Sequence, residues 1–278
     1  MTKNCGVVVY FTTFVPKFAL VLNYRVIGNN PDNQWVVMVH GAGGSIEVWF
    51  RQVSDFARHF NVVLVDLMGH GDSEQLPLDE RFSFEYAAEQ VMEVVDHLGL
   101  KKCHFMGLSL GCIIVKMIAE YYPDRAEKIV LAGAVTTLSI KTRLLLRSID
   151  TFKFIIPYSL LKWLIAKFII PQEKYARSKS LFLQNAEKVC FDSFLQWMSL
   201  VDTVSRLLKD LFCRQAAIPT LYMMGENDYL FLPQAQMVAF RSGLNASIVV
   251  VPNAGHICNV DNKGFFNRVS ISYLLGKE

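Results

Sequence analysis

Ser109 stands between two glycines in Gly107-Leu108-Ser109-Leu110-Gly111, a G-x-S-x-G pentapeptide that carries chemistry when it joins a strand to a helix. There the chain turns tightly enough to raise the hydroxyl above the strand ends, and the helix N-terminus favours negative charge beside it. A serine hydroxyl is a weak nucleophile and needs a base within reach, itself held by an acid. Candidates for both follow in the chain: Asp228 in Gly225-Glu226-Asn227-Asp228, and His256 in Asn253-Ala254-Gly255-His256. Each comes just after an apolar run that reads as a strand, which places serine, acid and histidine on loops at one edge of a sheet. Glu226 is the alternative acid. A fourth element, His40-Gly41-Ala42-Gly43-Gly44, follows the apolar run Trp35–Val39. Its glycines let backbone amides approach a substrate, and acyl transfer needs two such donors for the oxyanion. The amides of Ala42 and Leu110 are the candidates. His40, Gly41, Gly43, Leu108 and Trp163 are the candidate substrate contacts. The loop has neither the Lys-Ser/Thr ending of a P-loop nor dinucleotide-binding spacing.

The elements that must hold these residues are legible as alternation. Val7–Phe14 and Phe18–Ile27 read as strands around a Val-Pro-Lys turn, and Gly28–Asn33 is a dense turn cluster. Trp35–Val39 and Val62–Asp66 are short, wholly apolar or nearly so, as strands buried on both faces are. His104–Gly107, Ile129–Ala132, Thr220–Met224 and Ser247–Val251 extend the series. Helical spacing marks Ile46–His59, Phe84–Leu98, Cys112–Tyr122, Pro233–Ser242 and Gly264–Leu275. Such alternation predicts a mostly parallel central sheet flanked by helices. From Thr136 to Gln215 the pattern is helical only. The expected organisation is therefore an α/β core over 1–135 and 216–278, with an all-helical lid, 136–215, inserted between strands.

Composition agrees with one large α/β unit. The chain has 278 residues, 52% hydrophobic and 19% charged, too apolar for a disordered segment and long enough to bury a core without metal or disulfide. The net charge of +3 is too mild to argue for nucleic acid. Mean hydropathy is high, +0.28, yet prolines and lysines interrupt Val7–Leu22 and Ile155–Pro171, so no transmembrane segment is expected. The amino-terminal residues have the outline of a signal peptide but no small-x-small site, and their alternation fits a strand. Six cysteines without C-x-x-C spacing read as free thiols in a reducing, cytoplasmic setting. No metal-ligand cluster stands out, and no metal or cofactor is expected.

On His40–Gly44, Asp66-Leu67-Met68-Gly69-His70-Gly71-Asp72-Ser73, Gly107–Gly111, Gly225–Asp228 and Gly255-His256, the chain resembles the α/β-hydrolase family, in its lid-bearing serine esterase-like branch. The resemblance implies the α/β-hydrolase fold, no cofactor, and a structural role for the Asp66–Ser73 loop, with His70 and Asp72 as scaffold. Aspartate nucleophiles mark the family's dehalogenases and epoxide hydrolases, and Ser109 stands against both. Its carbon–carbon bond hydrolases typically carry tryptophan directly after the catalytic histidine, where this chain has Ile257. The expected function is hydrolysis of carboxylic esters with an apolar, medium-length acyl part. Carbon–carbon bond or lactone hydrolysis by the same triad is the alternative, and a non-catalytic ligand receptor is the alternative of another class.

The lid is rich in apolar pairs such as Leu144-Leu145, Ile155-Ile156 and Trp163-Leu164. That surface either packs the lid on the core or lines an acyl pocket. The lid is also basic, with thirteen lysines and arginines against six acids. A solvated outer face accounts for this. So does an anionic partner: a membrane surface, coenzyme A, or an acyl carrier protein, as in similar esterases acting on carrier-bound esters.

Overall fold

The computed structural model describes residues 10–11, 21–74, 76 and 81–277. Eight strands form one sheet: β1 (Tyr10–Phe11), β2 (Tyr24–Ile27), β3 (Trp35–Val39), β4 (Asn61–Val65), β5 (Cys103–Leu108), β6 (Ala126–Ala132), β7 (Thr220–Gly225) and β8 (Ala246–Val251). Their spatial order is β1-β2-β4-β3-β5-β6-β7-β8. The pairings β1·β2 and β2·β4 are antiparallel and every later pairing is parallel. The expected strand Val7–Phe14 falls largely outside the described residues, as do the first residues of Phe18–Ile27.

Two-sided burial explains why the central strands read as unbroken apolar runs. β4 and β5 are buried at every position. Val37, Val39, Val63 and Val65 point into one layer of core, while Val36, Met38, Val62 and Leu64 point into the other, as a two-residue period demands. The edge strand β8 is only partly covered. Helices α2 (Phe84–His97), α3 (Leu110–Tyr121) and α9 (Leu232–Arg241) bury residues in the first layer, and α10 (Cys258–Asp261) and α11 (Lys263–Leu274) in the second. The Ser83 hydroxyl accepts from the Tyr86 amide at 3.0 Å and starts α2.

The expected helix Ile46–His59 is instead a 3-10 turn at Ile46–Trp49 and a four-residue α1 (Val53–Phe56). Side chains from elsewhere interrupt it. The Asn259 side-chain amide donates to Val48 O at 3.0 Å and that of Asn267 to Arg51 O at 3.1 Å, carbonyls that a continuous helix would use within itself. Satisfying these polar groups outweighs a continuous helical ladder.

Between β6 and β7 come α4 (Ile140–Phe152), α5 (Tyr158–Ile169), α6 (Ala176–Ala186), α7 (Phe191–Ser199) and α8 (Val201–Phe212). Ser139 starts α4, its hydroxyl accepting from the Thr142 amide at 3.1 Å. Ile149, Leu161 and Met198 form a small core within this insertion, while Leu208, Leu211 and Phe212 of α8 join the main core. No helix of the described residues is long and apolar enough to cross a membrane.

Candidate active site

Ser109 lies between the end of β5 and the start of α3, with φ 53° and ψ −115°, a conformation costly for any residue with a Cβ. The turn is possible because α3 starts against the neighbouring backbone. A Cβ on Gly111 would lie 2.4 Å from Val39 O and 2.5 Å from His40 O. Glycine alone fits that approach.

The loops after β7 and β8 bring acid and base to this serine. His256 Nδ1 lies 2.8 Å from Asp228 Oδ2, and His256 Nε2 lies 2.9 Å from Ser109 Oγ. A carboxylate can only accept, so Nδ1 donates to Asp228 and Nε2 is left to accept from the serine hydroxyl. Asp228 is 3% exposed and His256 4%, which holds this chain of bonds away from bulk water. The Phe231 ring, 5.0 Å from the imidazole, closes one side. Glu226 points elsewhere, its carboxylate accepting from the Asn253 amide at 2.9 Å.

Ser109 and His256 open onto a cavity of about 280 Å³. Gly41, Ala42, Gly43, Leu108 and Leu110 all lie on its wall. Two amides of the 40–44 loop are committed within the protein: Gly44 N–H donates to Gly41 O, and Gly43 N–H to His70 Nε2, each at 3.0 Å. The remaining wall is almost wholly apolar and comes mostly from the helical insertion, including Leu145, Ile149, Phe182, Phe194, Trp197 and Met198, with Val48, Phe84, Ile113 and Ile257 of the core.

Two expected substrate contacts are not on this wall. His40 is fully buried beneath the loop, where Nε2 accepts from the Leu67 amide at 2.9 Å and Nδ1 donates to Gly41 O at 2.8 Å. It fixes the backbone and does not face the cavity. Trp163 is 45% exposed on the outer side of α5, with Lys167 Nζ 4.9 Å from its ring centre. Helical spacing sends Ile165, Phe168 and Ile169 to the cavity in its place. Conversely, His70 is more than scaffold. It lines the cavity while holding Gly43, and Trp197 packs edge-on to it at 5.6 Å while donating from Nε1 to Met68 O. The bond between His70 and Gly43 spans two motifs read separately in the sequence, and no spacing rule joins them.

Burial lowers the pKa of His40 to about 4; burial and the neighbouring His40 lower that of His70 to about 3. His104 on β5 is likewise held at about 4 by burial. In the unfolded chain each would titrate near 6.5. The unfolded state therefore takes up protons below about pH 6.5 while the folded state does not, and stability falls with pH in that window. The loss is on the order of 2 kcal/mol per histidine at pH 5 and vanishes above about pH 7.5. Urea unfolding at pH 7.5 and pH 5 measures it; equal midpoints would show that the three rings do not carry this linkage.

A G-x-S-x-G turn at the head of a mostly parallel sheet, with acid and histidine on the loops after the last two strands, defines the α/β-hydrolase fold. The chain has the α/β-hydrolase fold: the family model described as alpha/beta hydrolase fold matches residues 34–154. A relative named as a carbamate hydrolase, RutD of Stutzerimonas stutzeri (strain A1501), is 24% identical over 273 residues, covering 91% of this chain and 96% of its own. The enol-lactonase from Burkholderia xenovorans LB400 shares the fold at a TM-score of 0.74 and 20% identity, over 91% of this chain and 96% of its own. A thermophilic esterase from Thermogutta terrifontis shares it at 0.74 and 21%, over 92% and 93%.

Proposed function

We propose that this protein is a serine hydrolase of carboxylic esters whose acyl part is apolar and of medium length. The observation that carries the reading is the bonded series Ser109–His256–Asp228 at the floor of an apolar cavity. In this reading Ser109 Oγ attacks the ester carbonyl as His256 Nε2 takes its proton. The amides of Ala42 and Leu110 receive the developing oxyanion. His256 then delivers the proton to the leaving alcohol, and the C–O bond breaks to leave an acyl-enzyme. Water, deprotonated by the same imidazole, attacks the acyl carbon, and the free acid leaves as Ser109 recovers its proton. Asp228 keeps the imidazole in the tautomer that makes Nε2 the base.

The apolar wall supports the acyl preference. Each methylene transferred from water contributes about 0.8 kcal/mol, so kcat/KM should climb about fourfold per added carbon until the chain meets the end of the cavity. A p-nitrophenyl ester series from acetate to palmitate tests this, wild type beside Ser109→Ala. The expected result is a single chain-length optimum that disappears in the variant. No turnover on any ester, or a rate indifferent to Ser109→Ala, would overturn the reading. Lactones belong in the same panel, because a lactone is an internal ester and the enol-lactonase shares the fold.

A further inference from the structure

The helices that line the cavity also carry an apolar face that none of the described residues covers. On α5, Leu160, Trp163, Leu164 and Lys167 recur at i, i+3, i+4 and i+7 and all four are exposed, which puts them on one stripe opposite Ile165 and Ile169 of the cavity wall. The link before α5 adds Phe154, 71% exposed, and Ile155, 76% exposed. Ile140 and Leu144 of α4 are exposed as well. Large aromatic and aliphatic side chains exposed in this number along two neighbouring segments of the chain are not ordinary surface.

The charge around them has one sign. From 136 to 172 the chain carries six lysines and arginines and a single acid, Asp150. That acid is already paired with Lys153 at 2.6 Å. Lys141, Arg143, Arg147 and Lys167 are exposed, and among the described residues none of them is ion-paired. Aromatic and aliphatic groups interleaved with unpaired cations, a tryptophan among them, are the chemistry of a surface that enters the headgroup region of a bilayer. An acidic protein would be met by the cations alone and would leave Phe154, Ile155 and Trp163 unexplained.

We propose that the outward face of α4, the 153–157 link and α5 docks on an anionic lipid bilayer. The apolar residues enter the acyl boundary, Trp163 sits at headgroup depth, and the cations meet lipid phosphates. This goes beyond the proposed activity and holds whether or not Ser109 turns over an ester.

The test is co-sedimentation of the full chain with vesicles of phosphatidylcholine alone and of phosphatidylcholine mixed with phosphatidylglycerol. Binding is expected to the mixed vesicles only, to weaken with salt, and to be accompanied by a blue shift in tryptophan emission that Trp163→Phe removes. The pair Ile155→Glu and Leu164→Glu should lower the partition coefficient at least about tenfold, and the pair Arg143→Glu and Arg147→Glu by a similar factor. Circular dichroism melts check that both double variants fold, and the single variants Ile155→Ser and Arg147→Ser serve if either does not. Failure to bind mixed vesicles, or binding that neither pair affects, overturns the proposal. A wild-type dimer split by Ile155→Glu and Leu164→Glu in sedimentation equilibrium would assign the face to a second copy of the chain. Capture by an acyl carrier protein, without vesicle binding and sensitive to the arginine pair alone, would assign it to an acidic protein.

Discussion

Ser109→Ala and His256→Ala are each expected to lower ester hydrolysis by on the order of 10⁵-fold or more, and the double variant is expected to be no worse than either. The reason is geometric. Oγ and Nε2 are 2.9 Å apart, and the base has no second proton to take once the hydroxyl is gone, so the pair acts as one unit. Asp228→Asn should cost about 10³- to 10⁴-fold. The amide keeps the contact to Nδ1 but can present N–H to it, which favours the wrong tautomer. Glu226→Gln should stay within about threefold of wild type, because that side chain engages the exposed Asn253 amide and not the imidazole. Single-turnover release of p-nitrophenol from the five variants measures all of this. Additive losses in the double variant, or equal losses at Asp228 and Glu226, would break the assignment.

Gly111→Ala is expected to destabilise the protein by about 3 kcal/mol or more, or to prevent its folding. The added methyl would meet Val39 O and His40 O at 2.4 and 2.5 Å. Both are backbone atoms, at the end of β3 and in the loop that follows it, and cannot swing aside as a side chain can. The first turn of α3 would have to lift, carrying Ser109 with it. Gly264→Ala in α11 is the control. Nothing lies within 4 Å of its Cβ position, and alanine there should be neutral or stabilising by up to about 1 kcal/mol. Urea midpoints of the two variants, compared with wild type, separate local crowding from a general intolerance of substituted glycine.

How far the sequence reaches depends on where each side chain finds its partner. Strands β3 to β7 were legible because two-sided burial writes an unbroken apolar run. The serine, acid and histidine were legible because each comes soon after an apolar run, for the histidine that of the edge strand β8, so that strand ends place them in space. The boundary of α3 fell two residues earlier than its periodicity suggested, since Leu110 and Gly111 already belong to the first turn. The break in Ile46–His59 was not legible, because Asn259 and Asn267, which impose it, are distant in the chain. Trp163 shows a different limit. Apolar content alone does not say which side of an amphipathic helix faces inward when both sides are apolar, and on α5 the tryptophan took the outer one. His40 sits in a loop whose backbone lines the cavity, and its ring turned the other way to hold that backbone in place.

The bond between Ser109 and His256 spans 147 positions of the chain, and the strands that supply acid and base are the last two to be made. During synthesis the nucleophile, its turn and the glycine loop therefore leave the ribosome long before anything can deprotonate the serine. A nascent chain that has completed β6 holds a hydroxyl without a base, and the five helices that wall the cavity emerge before β7 and β8 exist. Reactivity arrives only with the closing edge of the sheet. In the proposed reading, appearance of hydrolytic activity is thus a built-in clock for completion of the fold, and a fragment that ends before β8 lacks the imidazole that the serine requires.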